Sequence, residues 1–212
     1  MKTTFCLIAC GLLAGTAASA GTVASLYGTI NCFGLSGVTS CPDGSDWETG
    51  LGGAFFHDYR DAYDLANAPL TDIWASPVDP TWNQPTYSTA GAVSATLSMR
   101  IAGIADIDGP DTVLFDGSVL GVIPANNAAD AFQEVLTYTF SVPIGLLDGN
   151  DSVEIETAGS DGYIIDYSQL TVTTGSSVPE PATFGLLLLG FGVLGAAKAR
   201  RPEPKAKTAK LA

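Results

Sequence analysis

Residues 21–174 predict an all-β domain, an antiparallel β-sandwich or jelly roll. Three observations predict it. Apolar and polar residues alternate with a period of two in several short runs, the signature of strands with one buried face. Turn residues recur between these runs at intervals near ~8–12 residues, the spacing of sandwiches and barrels. No repeat at a longer fixed period is present, which sets solenoids and propellers aside.

Taken in order, residues 26–32 read as a first strand. Residues 58–65 read as a helical turn or a loop. Residues 74–85 are rich in proline and predict irregular chain, because proline removes a ladder donor. From 92 to 101 the alternation is strict, with Val93, Ala95, Leu97, Met99 and Ile101 on one face and Ser94, Thr96, Ser98 and Arg100 on the other. Residues 112–120 carry Asp116-Gly117 between apolar runs, a short hairpin signal. Residues 135–142 alternate again, Leu136, Tyr138, Phe140 and Val142 opposing Thr137, Thr139 and Ser141. Asp148-Gly149-Asn150-Asp151 is a turn, and a strand over 153–157 follows it. Residues 163–173 close the domain, and Gly175-Ser176-Ser177 (175–177) form a flexible linker.

Charge narrows the function classes. The chain of 212 residues has a net charge of −13, but the sign is unevenly distributed. Residues 21–177 hold 20 acidic side chains against two basic ones, Arg60 and Arg100, a local net of −18. Residues 198–212 hold six basic side chains and one acidic, a net of +5. So acidic a middle repels phosphate backbones and excludes nucleic acid as a partner. It suits divalent cations or basic partners.

The amino end has the layout of a secretory signal peptide, residues 1–20. Lys2 is the positive flank, residues 5–14 are the apolar core, and Ala18-Ser19-Ala20 is an A-x-A site for signal peptidase. Cleavage before Cys10, at a lipoprotein-like Leu7-Ile8-Ala9-Cys10, would leave too short an apolar core. Cys6 and Cys10 leave with this segment. Cys32 and Cys41 then face an oxidising compartment and are expected to form a disulfide. Their spacing does not suit a C-x-x-C redox or metal pair.

Four carboxylates are candidate metal ligands. Asp106, Asp108 and Asp111, in Asp106-Ile107-Asp108-Gly109-Pro110-Asp111, set alternating carboxylates around a glycine turn, the donor type that calcium takes. The EF-hand length and its distal Glu are missing, and the same residues also suit a plain acidic turn. Asp166 is the fourth. Strict alternation puts it on the face of Ile164, Leu170 and Val172, where a carboxylate must be paired or metal-bound. Structural calcium is one reading; a bulge turning it outward, or hydrogen bonds to turn amides, is the other. No catalytic residue is assigned. His57, the one histidine, stands beside Asp58 in an irregular segment, and no nucleophile elbow, zinc helix or phosphate loop is present. Trp47, Trp74 and Trp82 with Tyr59, Tyr63 and Tyr87 fit either sugar-stacking platforms or plugs at the ends of the sandwich.

The carboxyl end is built of three pieces: Val178-Pro179-Glu180-Pro181, an uncharged apolar run over 182–197, and a basic stop at Lys198, Arg200 and Arg201. The run is near the ~17–25 residues a transmembrane helix needs. The prolines predict an extended entry outside that helix, and the arginines a cytoplasmic end. Residues 178–201 thus resemble the PEP-CTERM sorting signal of Gram-negative bacteria, carried by Val178, Pro179, Glu180, Pro181, Arg200 and Arg201. A basic tail, 202–212, runs longer than is usual for that signal. The resemblance implies membrane attachment before processing and removal of the helix by an exosortase. It also implies display at the cell surface or in an exopolysaccharide matrix. On that footing the expected function is a non-enzymatic surface or matrix protein, binding polysaccharide with calcium as a structural ion. A secreted polysaccharide hydrolase is the alternative.

Overall fold

The computed structural model describes residues 20–74, 79–103, 109–124, 134–158 and 162–175. The signal segment, Asp106, Asp108 and the whole sorting region from 176 lie outside the described residues. Among the described residues no helix is long and apolar enough to cross a membrane. One compact unit spans Ala20–Gly175.

Among the described residues, eight strands form two antiparallel sheets: β1 (Gly21–Gly28), β2 (Thr81–Asn83), β3 (Ala92–Ala102), β4 (Asp111–Phe115), β5 (Ser118–Ile123), β6 (Leu136–Ser141), β7 (Ser152–Glu156) and β8 (Ile164–Thr174). A short helix, α1 (Ala62–Asn67), sits between β1 and β2. The strand orders are β1-β8-β3-β6 and β2-β7-β4-β5. Strands one and eight, two and seven, three and six, four and five are partners, the pairing of a jelly roll wound from one long ribbon.

The alternating runs are the strands. In β3, Ala95, Leu97, Met99 and Ile101 are buried, while Arg100 lies on the opposite face. They meet Val113, Phe115, Val153 and Ile155 of the other sheet, with Leu170 and Val172 of β8, in one core between the sheets. The predicted hairpin is present: Phe115 pairs with Ser118 around Asp116 and Gly117, whose φ angles of 49° and 70° are those of a type I′ turn.

The first strand departs from expectation. It runs over Gly21–Gly28, not 26–32, because its partner β8 extends to Thr174 and pairs with Gly21. Gly28, at φ 87°, ends it; a Cβ there would stand 2.7 Å from Thr71 Cγ2 and 2.8 Å from the Asp166 carbonyl oxygen. A short strand, β2, also occurs within the proline-rich stretch, held by β7.

Beyond Gly28 the chain turns through left-handed conformations at Cys32 and Phe33, both at φ 59°. The expected Cys32–Cys41 disulfide is present, with Cα atoms 5.6 Å apart. It belongs to a second apolar cluster with Phe33, Leu35, Trp47, Val135 and Ile164. The tryptophans are structural. Trp47 is fully buried and stacks on Trp74 at 5.1 Å between centroids, and Trp82 stacks on Tyr27 at 5.7 Å.

Because the bond closes a loop of about ten residues, removing it should lower stability by roughly 2–3 kcal/mol. Urea unfolding of Cys32→Ser/Cys41→Ser against the oxidised protein measures this; equal midpoints would show that the apolar cluster holds the loop unaided.

Candidate metal centre

Asp166 is placed by an irregularity in β8. Arg100 pairs with Tyr167 and Ile101 with Ile165, so Asp166 is the extra residue of a β-bulge. The bulge changes the phase of the strand. Ile165, Leu170 and Val172 join the core between the sheets, whereas Ile164 joins the cluster under the disulfide loop. Asp166 therefore does not share the face of Leu170 and Val172 that strict alternation predicts.

Its carboxylate is fully buried. Oδ1 accepts the backbone N–H of Phe33 at 2.8 Å and of Asn31 at 3.3 Å. Oδ2 accepts no hydrogen bond; Arg100 Nη1 stands 3.8 Å away, close enough for an ion pair and too far for a hydrogen bond. Burial pushes the carboxyl above its usual range, and the two amides and Arg100 oppose that shift. The turn that closes the disulfide loop is thus tied to the last strand through one carboxylate.

Two further carboxylates, Asp64 and Asp72, share this region and are also fully buried. Sequence reading passes over both. Asp64 is the third residue of α1 and completes a capping box with Asp61, receiving the Asp61 N–H at 3.3 Å. Its Oδ1 accepts the Thr29 hydroxyl at 3.3 Å. Asp72 stands in left-handed backbone at φ 55°, held by its N–H to the Ile165 carbonyl and by the Tyr59 N–H to its own carbonyl, each at 2.8 Å. Asn31 joins the group, donating from Nδ2 to Thr29 Oγ1 at 2.8 Å and to Asp72 Oδ2 at 2.9 Å. Asp72 Oδ1 has no hydrogen-bond partner. The Asp72 carboxyl lies within hydrogen-bonding reach of that of Asp64 and feels the charge of Asp166. Burial first, then these neighbours, push Asp72 up to about 8 against the hydrogen bond from Asn31.

Asp111 is elsewhere. It heads β4 in the other sheet, buried, and accepts the Ala158 N–H at 2.7 Å. Asp106 and Asp108 lie outside the described residues. Among the described residues, Asp116, Asp148 and Asp151 bring carboxylate oxygens within 4.8 Å of one another. These close turns: Asp151 accepts the Asp148 N–H and the Tyr87 hydroxyl, and Asp116 accepts the Ser152 N–H at 2.7 Å. His57 is exposed with its ring against Tyr59, and the adjacent Asp58 is engaged by Arg60 at 2.6 Å.

Residues 177–201 match the PEP-CTERM protein-sorting motif. The chain therefore carries the motif that marks an exported, exosortase-processed protein of the cell envelope. A search of curated proteins found no match. Among solved structures, similarity extends to dimeric latent PorU from Porphyromonas gingivalis at 9% identity and TM-score 0.40, over 76% of this chain and 14% of that one. A family 35 carbohydrate-binding module from an environmental isolate is similar at 20% identity and TM-score 0.33, over 73% and 98%. The CBM36-1 domain of a multidomain xylanase, from the hindgut metagenome of Trinervitermes trinervoides, is similar at 12% identity and TM-score 0.32, over 71% and 96%. Likenesses this distant carry no argument about ligand or activity.

Truncating Asp166 leaves the Phe33 amide and the Arg100 guanidinium without their anion. Asp166→Ala should cost about 3–5 kcal/mol, and Asp166→Asn, which keeps an acceptor for the amide, clearly less. Denaturant midpoints of the two variants check the order.

Proposed function

We propose that this chain is a non-enzymatic surface or matrix protein, exported through its amino-terminal signal and sorted through its PEP-CTERM motif. In this reading its jelly roll binds exopolysaccharide, with calcium as a structural ion. One observation carries the reading: the sorting motif, at 177–201, begins just past the end of the last strand at Thr174. The domain's two ends are partners, since Gly21 donates to Thr174 Oγ1 at 3.2 Å and Gly175 donates to the Gly91 carbonyl at 2.9 Å. Cuts after Ala20 and beyond Gly175 remove none of the pairing in either sheet. Targeting segments can thus be discarded while the folded cargo stays intact.

The binding role draws on the exopolysaccharide setting that the motif implies. It also draws on aromatic rings left outside the core: Phe56 is 80% exposed and Tyr63 48% exposed. Rings of this kind bury the apolar face of a sugar at small entropy cost.

Intact mass of the protein from cells with and without the exosortase tests the sorting. The expected result is loss of the segment behind the motif in the first and its retention in the second. The same carboxyl end in both would reject processing. Affinity electrophoresis through gel containing the cells' own exopolysaccharide tests the binding. Retardation that weakens in Phe56→Ala supports it, and unchanged mobility of the parent protein rejects it.

A further inference from the structure

Three carboxylates, Asp64, Asp72 and Asp166, are each wholly buried around Asn31. Their donors can be accounted for. Asn31 Nδ2 is divided between Thr29 and Asp72, and the Thr29 hydroxyl goes to Asp64. The Asn31 and Phe33 amides go to Asp166. Arg100 approaches Asp166 alone, at 3.8 Å. The other basic side chain of the domain, Arg60, is engaged by Asp58 and the Pro69 carbonyl. Two fully buried oxygens, Asp72 Oδ1 and Asp166 Oδ2, are left without a donor.

Each unpaired ion in such a place carries a desolvation penalty of several kcal/mol, which either a proton or a bound cation would relieve. Asp64 and Asp72 are brought together by the Thr29 hydroxyl, which donates to Asp64 Oδ1, and by Asn31 Nδ2, which donates to both Thr29 Oγ1 and Asp72 Oδ2, and Asp72 Oδ1 has no donor. The atoms around them that could ligate are oxygens, those of the two carboxylates and the Thr29 hydroxyl; Asn31 faces them with Nδ2, its Oδ1 accepting the Gly34 N–H at 2.8 Å. Oxygen donors without imidazole or thiolate select a hard cation over zinc or copper.

We propose that Asp64 and Asp72 hold a Ca²⁺ ion between α1 and the segment at 71–73, with Asp166 adding its charge from β8. The proposal rests on the reading of an exported protein with structural calcium, and it gives that ion a place. The place has a consequence. The ion joins three segments: the turn at 29–33 that enters the disulfide loop, α1, and the segment 71–73, whose Thr71 bridges to Ile165 of β8. Without it the repulsion between buried carboxylates opposes their closure. The domain is then fully stable only where calcium is abundant, at affinities of roughly 10⁻⁴–10⁻³ M typical of extracellular modules.

The test is thermal unfolding of the exported protein in chelator and in millimolar Ca²⁺, for the parent chain, Asp72→Asn, Asp64→Asn and Asp148→Asn. In the parent, calcium should raise Tm by roughly 3–8 °C. Asp148→Asn, at the exposed turn cluster, should keep that response. Asp72→Asn and Asp64→Asn should lose it. In chelator Asp72→Asn should melt no lower than the parent, because it removes one of the repelling charges; a carboxylate needed only for its hydrogen bonds would instead leave a weaker protein. An equal calcium response in the parent and both centre variants, or its loss in Asp148→Asn alone, overturns the assignment while leaving structural calcium in place. No response in the parent shows that the pair shares a proton instead, and removes the ion from the proposed function without touching the sorting.

Discussion

The constraint on which this fold depends is the place of β8. The last strand of the domain lies inside its sheet, hydrogen-bonded to β1 on one side and β3 on the other. Its pairing with β1 joins residues more than 150 positions apart, Gly21 with Thr174. Closing so long a loop is entropically costly, and contacts that distant in sequence form late. Neither the first sheet nor the core can be completed until the chain has emerged to residue 174. The order suits a protein that crosses a membrane before it folds, since a half-delivered chain lacks the strand around which the sheet is laid.

Two groups in this structure are tied both to β8 and, through Asn31 Nδ2 and Asp72 Oδ2, to each other. The disulfide loop reaches it through Asp166, and the 71–73 segment reaches it through the Ile165 carbonyl. Both attachments sit at the bulge. An ordinary strand residue would have pointed into the core between the sheets or out to solvent. The extra residue turns a carboxylate toward backbone amides instead, and the second apolar cluster covers it. Local disruption of one ladder position organises a layer of chain that has no regular structure of its own.

What could be read beforehand follows from what is local. Strands β3, β6 and β7, the Asp116-Gly117 turn and the disulfide were legible because alternation, turn chemistry and cysteine count need no tertiary information. The amino-terminal third was not. Its order comes from loops packed on β8, and no periodicity records that. The boundary of β1 was missed because a partner strand 139 to 153 positions away decides it. Asp166 was noticed as a carboxylate in an apolar strand, and a bulge or hydrogen bonds to turn amides was one of its two readings; alternation could not choose between them, since a single unpaired residue reverses the phase. Asp64 and Asp72 left no trace beyond an acidic stretch. They lie eight residues apart, one in a helix cap and one in left-handed backbone, and only folding brings them together.

The junction between Gly21 and Thr174 also bears on mechanics. A domain held by its carboxyl end receives any drag from flow or from a bound polymer through residue 175, directly into β8. That strand is clasped along its length by neighbours on both flanks. Traction along its axis must slide it past two ladders together, whereas an edge strand would peel from one. The same burial that makes the final strand slow to place makes it a strong point of attachment.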